Sequence, residues 1–221
     1  MTTTTDDSVN TKCDELTQLL TETPNDYNKI MCVAAKYGDI NIVKQMLEKG
    51  ADNYNRAIIP AVDGGHIDIV RLMLEKGADN YFWTTVRAAK CGYTDILRLL
   101  IEDVDKNKSR DNYYCGNFAM SYASAYGHMD TVKLMLEKGA DSYNAAMMNA
   151  AEGGHINIVN FMLEKGANNY NRCLCLAAGS NHIDIVKLML EKGANDYTQA
   201  IDIAKKNGHA DIVHLIEQRL K

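Results

Sequence analysis

Between Ile67 and Glu75 the chain reads I-D-I-V-R-L-M-L-E, with Ile67, Ile69, Val70, Leu72, Met73 and Leu74 apolar and Asp68, Arg71 and Glu75 polar. Polar residues at i, i+3 and i+7 trace a narrow solvent stripe down an otherwise apolar helix, so the pattern predicts a helix sandwiched between neighbours. Asp68 in the first turn and Lys76 at the end suit the helix dipole, and Gly77 is placed to stop the helix in the left-handed conformation. A second helical pattern precedes each segment of this kind, at 54–63, 143–152 and 170–179. It begins near a tyrosine, usually with Asp or Asn before it as a candidate N-cap. It also carries the small pairs Ala34-Ala35, Ala88-Ala89, Ala150-Ala151 and Ala177-Ala178. Small side chains there let helices stack at roughly 8 to 10 Å.

The two-helix pattern repeats. Its Gly-His step falls at Gly38, Gly65, Gly92, Gly127, Gly154, Asn181 and Gly208, with spacings of 27, 27, 35, 27, 27 and 27 residues. A fixed period in this range is the mark of a linear stack, in which each repeat touches only its neighbours. Residues 1–11, polar and without periodicity, read as a disordered tail, and 12–221 as one repeat domain. That domain opens with an N-cap helix bearing Leu16, Leu19 and Leu20 and continues as seven stacked units. Glu217 stands where other units have leucine and is followed by the polar Gln218, which predicts a closing cap.

One spacing differs from the rest. The 35-residue interval carries an insertion at 103–116, and its length predicts either a projecting β-hairpin or a mobile loop. Asp103, Asp105 and Asn107 begin a calcium-loop pattern there, but Lys108 replaces the required glycine and Tyr114 the bidentate glutamate, so calcium is disfavoured. The series His66, His128, His155, His182 and His209 is too widely spaced for two imidazoles to reach one zinc ion, each within about 2.1 Å. These histidines read instead as partners for backbone groups at the helix-helix turn. The tyrosines 27, 54, 81, 143, 170 and 197 read as structural aromatics covering a short turn.

Composition narrows the function. A net charge of −5 with interleaved acids and bases leaves no basic footprint for nucleic acid and no polybasic stretch for a membrane surface. No apolar run approaches the ~20 residues of a membrane span, and the Thr- and Asp-rich first ten residues do not read as a secretory leader. Six scattered cysteines imply a reducing compartment, so a cytoplasmic protein is expected. No cofactor motif, metal set or nucleophile-base pair recurs, and an enzyme is disfavoured.

The run G-H-I-D-I-V-R-L-M-L-E-K-G-A-D, nearly intact at Gly65, Gly127 and Asn181, resembles the second half of the ankyrin repeat, and the likeness covers residues 13–221. The wording K-G-A-D-N-Y-N-R-A is also similar to ankyrin arrays of giant DNA viruses, which would imply a host-cell cytoplasm. Family units are usually about 33 residues long. Here the first-helix phrase T-P-L-H is missing, and the residues that build the hairpin finger are lost. The expected fold is therefore an all-α, ankyrin-like α-solenoid with shortened or absent fingers. In this family the first-helix face lines a concave groove that binds partners. On that face the column Lys29, Arg56, Trp83, Phe118, Ala145, Arg172, Gln199 varies from unit to unit, as does Val33, Pro60, Arg87, Tyr122, Asn149, Leu176, Ile203. Candidate partner-binding residues are Phe82, Trp83, Arg87, Tyr113, Tyr114, Phe118 and Tyr122, a composition typical of interface hot spots. The expected function is a monomeric, non-catalytic protein-protein interaction scaffold. A structural or self-assembling array without a dedicated partner is the alternative.

Overall fold

A computed structural model of the chain describes residues 15–107 and 112–220. The tail at 1–11 and the centre of the insertion lie outside the described residues. Those described form fifteen α-helices and no strand. In chain order they are α1 (15–22), α2 (Tyr27–Tyr37), α3 (Ile40–Glu48), α4 (Tyr54–Asp63), α5 (Ile67–Glu75), α6 (Tyr81–Cys91), α7 (Thr94–Asn107) and α8 (Asn112–Ala125). These continue as α9 (Met129–Glu137), α10 (Tyr143–Gly153), α11 (Ile156–Glu164), α12 (Tyr170–Gly179), α13 (Ile183–Glu191), α14 (Tyr197–Lys206) and α15 (Ala210–Glu217), before a single 3-10 turn, Gln218–Leu220. Among the described residues no helix is long and apolar enough to cross a membrane.

Contacts gather the chain into two compact units, one of Met1–Ala88 with Tyr93–Asn112, the other of Ala89–Gly92 with Tyr113–Lys221. Within each, helices pack in series. In the first, α2 packs on α3 and α4, and α4 on α5; in the second, α10 packs on α11 and α12, and α12 on α13 and α14. The buried positions are those the pattern predicts. Ile69, Val70 and Met73 of α5 are sealed, as are the small pairs Ala34-Ala35, Ala150-Ala151 and Ala177-Ala178 of the first helices.

The connection between successive repeats is the five-residue turn Lys49, Gly50, Ala51, Asp52, Asn53 and its copies, too short for a finger. Gly77 shows how it is made. With φ +100 it takes the left-handed conformation that side chains avoid, while the following Ala78 donates to the Met73 carbonyl at 2.9 Å and is itself buried.

Each turn is then locked by an asparagine of the preceding first helix. Asn55 Oδ1 accepts from Asp79 N and Asn80 N at 2.8 and 3.1 Å, and its Nδ2 donates to Asp79 Oδ1 at 2.8 Å. Asn28, Asn117, Asn144 and Asn171 hold the turns at 52–53, 141–142, 168–169 and 195–196 in the same way. Where this ladder reaches α6 the residue is Phe82, whose ring can neither donate nor accept. The turn that would follow is the insertion.

Most of that insertion is helical, which differs from both the hairpin and the loop expected of it. Residues 103–107 prolong α7 and residues 112–116 begin α8. The reason is the apolar spacing: Leu97, Leu100, Ile101 and Val104 are all buried, so the α7 stripe continues one turn beyond its counterparts. Asp103 and Asp105 therefore sit on a helix, and Asp103 Oδ2 accepts from the Tyr81 hydroxyl at 2.7 Å.

Candidate functional site

The predicted outward columns face out. Lys29, Arg56, Trp83, Phe118, Arg172 and Gln199 are exposed and Ala145 is half-buried. In the second column Arg87 and Tyr122 are exposed and the others half-buried. Each residue of the first column is three places into its helix in α2, α4, α6, α10, α12 and α14, so the helix pitch turns all of them to the same side of their unit.

In the first unit this side carries Phe82, Trp83 and Arg87. Trp83 is 58% exposed, the largest value for a large apolar side chain among the described residues, and Phe82 stands edge-on to it with ring centroids 5.2 Å apart and planes at 89°. That T-shaped pair holds the indole in one orientation. Arg87 is forked onto Asp63, 2.7 Å from Nη1 to Oδ1, so its charge is already matched and it ties α6 to α4. An exposed pair of this kind adds modest stability.

In the second unit Phe118 and Tyr122 lie four residues apart on α8 and are 50% and 42% exposed. Tyr126, four further on and 49% exposed, extends the same stripe. Sequence reasoning missed Tyr126, although its i+8 spacing from Phe118 was there to find it. Lys90 lies over the Tyr126 ring at 5.2 Å. Beneath Phe118 a cleft of about 480 Å³ runs between α8 and α10, floored by Ser121 and Ala145 and closed by the turn at Gly139, Asp141 and Ser142. Of the predicted residues, Phe82, Trp83 and Arg87 thus belong to one unit and Phe118 and Tyr122 to the other. The side chains of Tyr113 and Tyr114 lie outside the described residues.

Among the described residues the five repeated histidines and three of the cysteines have structural roles. His66, His128, His155, His182 and His209 each set Nε2 2.9 to 3.1 Å from a carbonyl of the preceding repeat, at Lys36, Lys90, Ala125, Glu152 and Gly179. A carbonyl only accepts, so Nε2 carries the proton and donates. The same rings occupy the space over the previous turn: a Cβ at Gly154, φ +82, would meet the His182 ring at 2.5 Å. Burial pushes the Cys173 thiol up to about 12 and raises Cys32 and Cys175 as well, which keeps all three protonated and weakly nucleophilic. The N-cap reading holds in part. Asp26 and Asn53 accept from Lys29 N and Arg56 N, while the side chains of Ser142, Asn169 and Asp196 make no cap bond.

Comparison with known proteins bears on what such a stack is. A family model described as ankyrin repeats, in three copies, matches residues 8–82 and again 85–173, and a single-repeat model of that family matches 169–202. Among curated proteins no relative matches the chain.

Proposed function

Because the chain belongs to the ankyrin-repeat family, whose repeats generally serve as protein-protein interaction modules, we propose that it is a non-catalytic scaffold holding a partner protein on the outward face of its first helices. The observation that carries this reading is the exposure of Trp83 and Phe118 at one repeat register. A folded chain gains nothing in water from leaving its only tryptophan open, and exposed Trp, Tyr and Arg dominate interface energetics. Phe82 and Arg87 accompany Trp83 on α6, Tyr122 accompanies Phe118 on α8, and the insertion at 103–116 contributes the candidates Tyr113 and Tyr114. The scaffold acts as a monomer in the cytoplasm, with the cleft beneath Phe118 receiving one partner side chain.

The test is quantitative affinity capture from the native cell with the parent chain, Trp83→Ala and Phe118→Ala. Both variants are expected to keep the parent's circular dichroism and melting temperature and to lose a common partner at least about 10-fold, as truncated hot spots do. Unchanged recovery of every captured protein by both variants overturns the reading. Stable oligomers of the parent in light scattering would favour a self-assembling array instead.

A further inference from the structure

We propose that the first unit recognises an extended acidic segment closed by an apolar residue, read by the row Lys29, Arg56 and Trp83. The proposal rests on the reading that the first-helix face binds a partner and names that partner's chemistry.

These three residues occupy equivalent places on α2, α4 and α6, and all are exposed. The charges near them are unequally committed. Arg87 is matched by Asp63, and Lys36 by Glu15 at 3.1 Å, whereas among the described residues neither Lys29 nor Arg56 enters an ion pair. The acids closest to the row in the chain keep their charge, but each has one oxygen held by a neighbouring neutral donor. Asp26 Oδ1 accepts from Lys29 N, Asp52 Oδ1 from Asn28, and Asp79 Oδ1 from Asn55. Lys29 and Arg56 thus place two cations in adjacent registers of one face, next to the exposed indole of Trp83.

Spacing then selects the ligand's form. Stacked helices stand roughly 8 to 10 Å apart, and an extended chain in the polyproline-II conformation, with three residues per turn and about 3.1 Å of rise each, brings every third side chain back to the same face about 9 Å further on, so every third residue of such a segment reaches the next helix. The matching pattern is acidic-x-x-acidic-x-x-apolar. Its apolar end lies on the indole that Phe82 holds edge-on, and its carboxylates meet Lys29 and Arg56. A continuous polyanion fits less well, because the whole chain repels it and the third register offers an aromatic ring where a third cation would be needed.

Trp83 is the sole tryptophan, so its emission reports occupancy of the row directly. The experiment titrates the full chain with the peptides Glu-Ser-Ser-Glu-Ser-Ser-Leu and Leu-Ser-Ser-Glu-Ser-Ser-Glu, acetylated and amidated, covering both chain directions. One direction is expected to saturate below about 1 mM with a shift in emission, and to weaken several-fold as salt is raised. The double variant Lys29→Glu, Arg56→Glu is expected to lose at least 10-fold for that peptide and to gain for its Lys-for-Glu counterpart, with an unchanged melting temperature. Three results overturn the proposal: no saturation in either direction, equal binding of the Lys-for-Glu peptide by the parent, or tighter binding of an oligothymidylate than of both peptides. If partner capture still depends on Trp83 and Phe118 in those cases, the scaffold reading survives and only the acidic segment falls. If capture is indifferent to both, the scaffold reading itself has failed.

Discussion

Asn144 makes three hydrogen bonds with one amide. It accepts from Asn168 N and Asn169 N at 2.8 and 3.0 Å and donates to Asn168 Oδ1 at 3.3 Å, and so supplies a turn that has no hairpin to satisfy its own backbone. Asn144→Ala should lower the unfolding free energy by about 1 kcal/mol in urea titrations, since water reaches this exposed site and replaces part of what is lost. Asn55→Asp should cost more, because it sets a second carboxylate against Asp79. Repulsion between two exposed carboxylates is screened by salt, so the cost is largest at low ionic strength and shrinks toward about 1 M salt. Comparing the variant's urea midpoint with the parent's at low and high salt tests this, and a salt-independent difference would contradict it. The role of these asparagines was not legible from the sequence. Asn in a turn-rich stretch reads as a cap or turn former, and its partners lie 24 and 25 residues away, where only the folded stack brings them into reach. The histidines, by contrast, were readable, because their spacing already ruled out a shared ion and left the backbone of the neighbouring turn as partner.

At the level of the helices, the apolar stripe was the most dependable guide. It located both helices of the repeat, and the same rule, followed through Leu97, Leu100, Ile101 and Val104, would have carried α7 through the first part of the insertion. The run of Asp, Lys, Asn and Ser after Glu102 obscured it, since that composition favours loops and Val104 is the one apolar residue left to mark the register. Pro60, inside α4, is a feature that the stripe does not justify. It has no N–H to give the carbonyl of Arg56 four residues earlier, and the rest of α4 must hold the helix without that bond. Pro60→Ala restores the donor and is expected to stabilise the chain by about 1 to 3 kcal/mol, read as a higher melting temperature. A lower one would mean that the half-buried ring contributes more to packing than the missing bond costs.

For the whole molecule, stability is a sum of repeat terms and nearest-neighbour seams, and a lesion should be felt locally. Asn171→Ala removes the lock on the turn at 195–196. In hydrogen exchange read by mass spectrometry, amides of α12 and α14 should then exchange about 5-fold faster, corresponding to roughly 1 kcal/mol, while those of α2 to α5 keep the parent's rates. Uniform acceleration would show a chain that opens all at once. Which surface serves a partner was less legible than the fold, because core positions repeat and can be averaged over seven copies, whereas Trp83 and Phe118 each occur once and identify themselves only by their exposure. The asparagine ladder has one more consequence. Each rung grips the main-chain N–H groups of the turn, at Asp79 and Asn80 as at Asn168 and Asn169, so the joint is indifferent to which side chains the next module brings. A 27-residue block can therefore be duplicated, deleted or exchanged by recombination without redesigning its borders, provided an asparagine precedes it. Phe82 marks the border where that interchangeability stops.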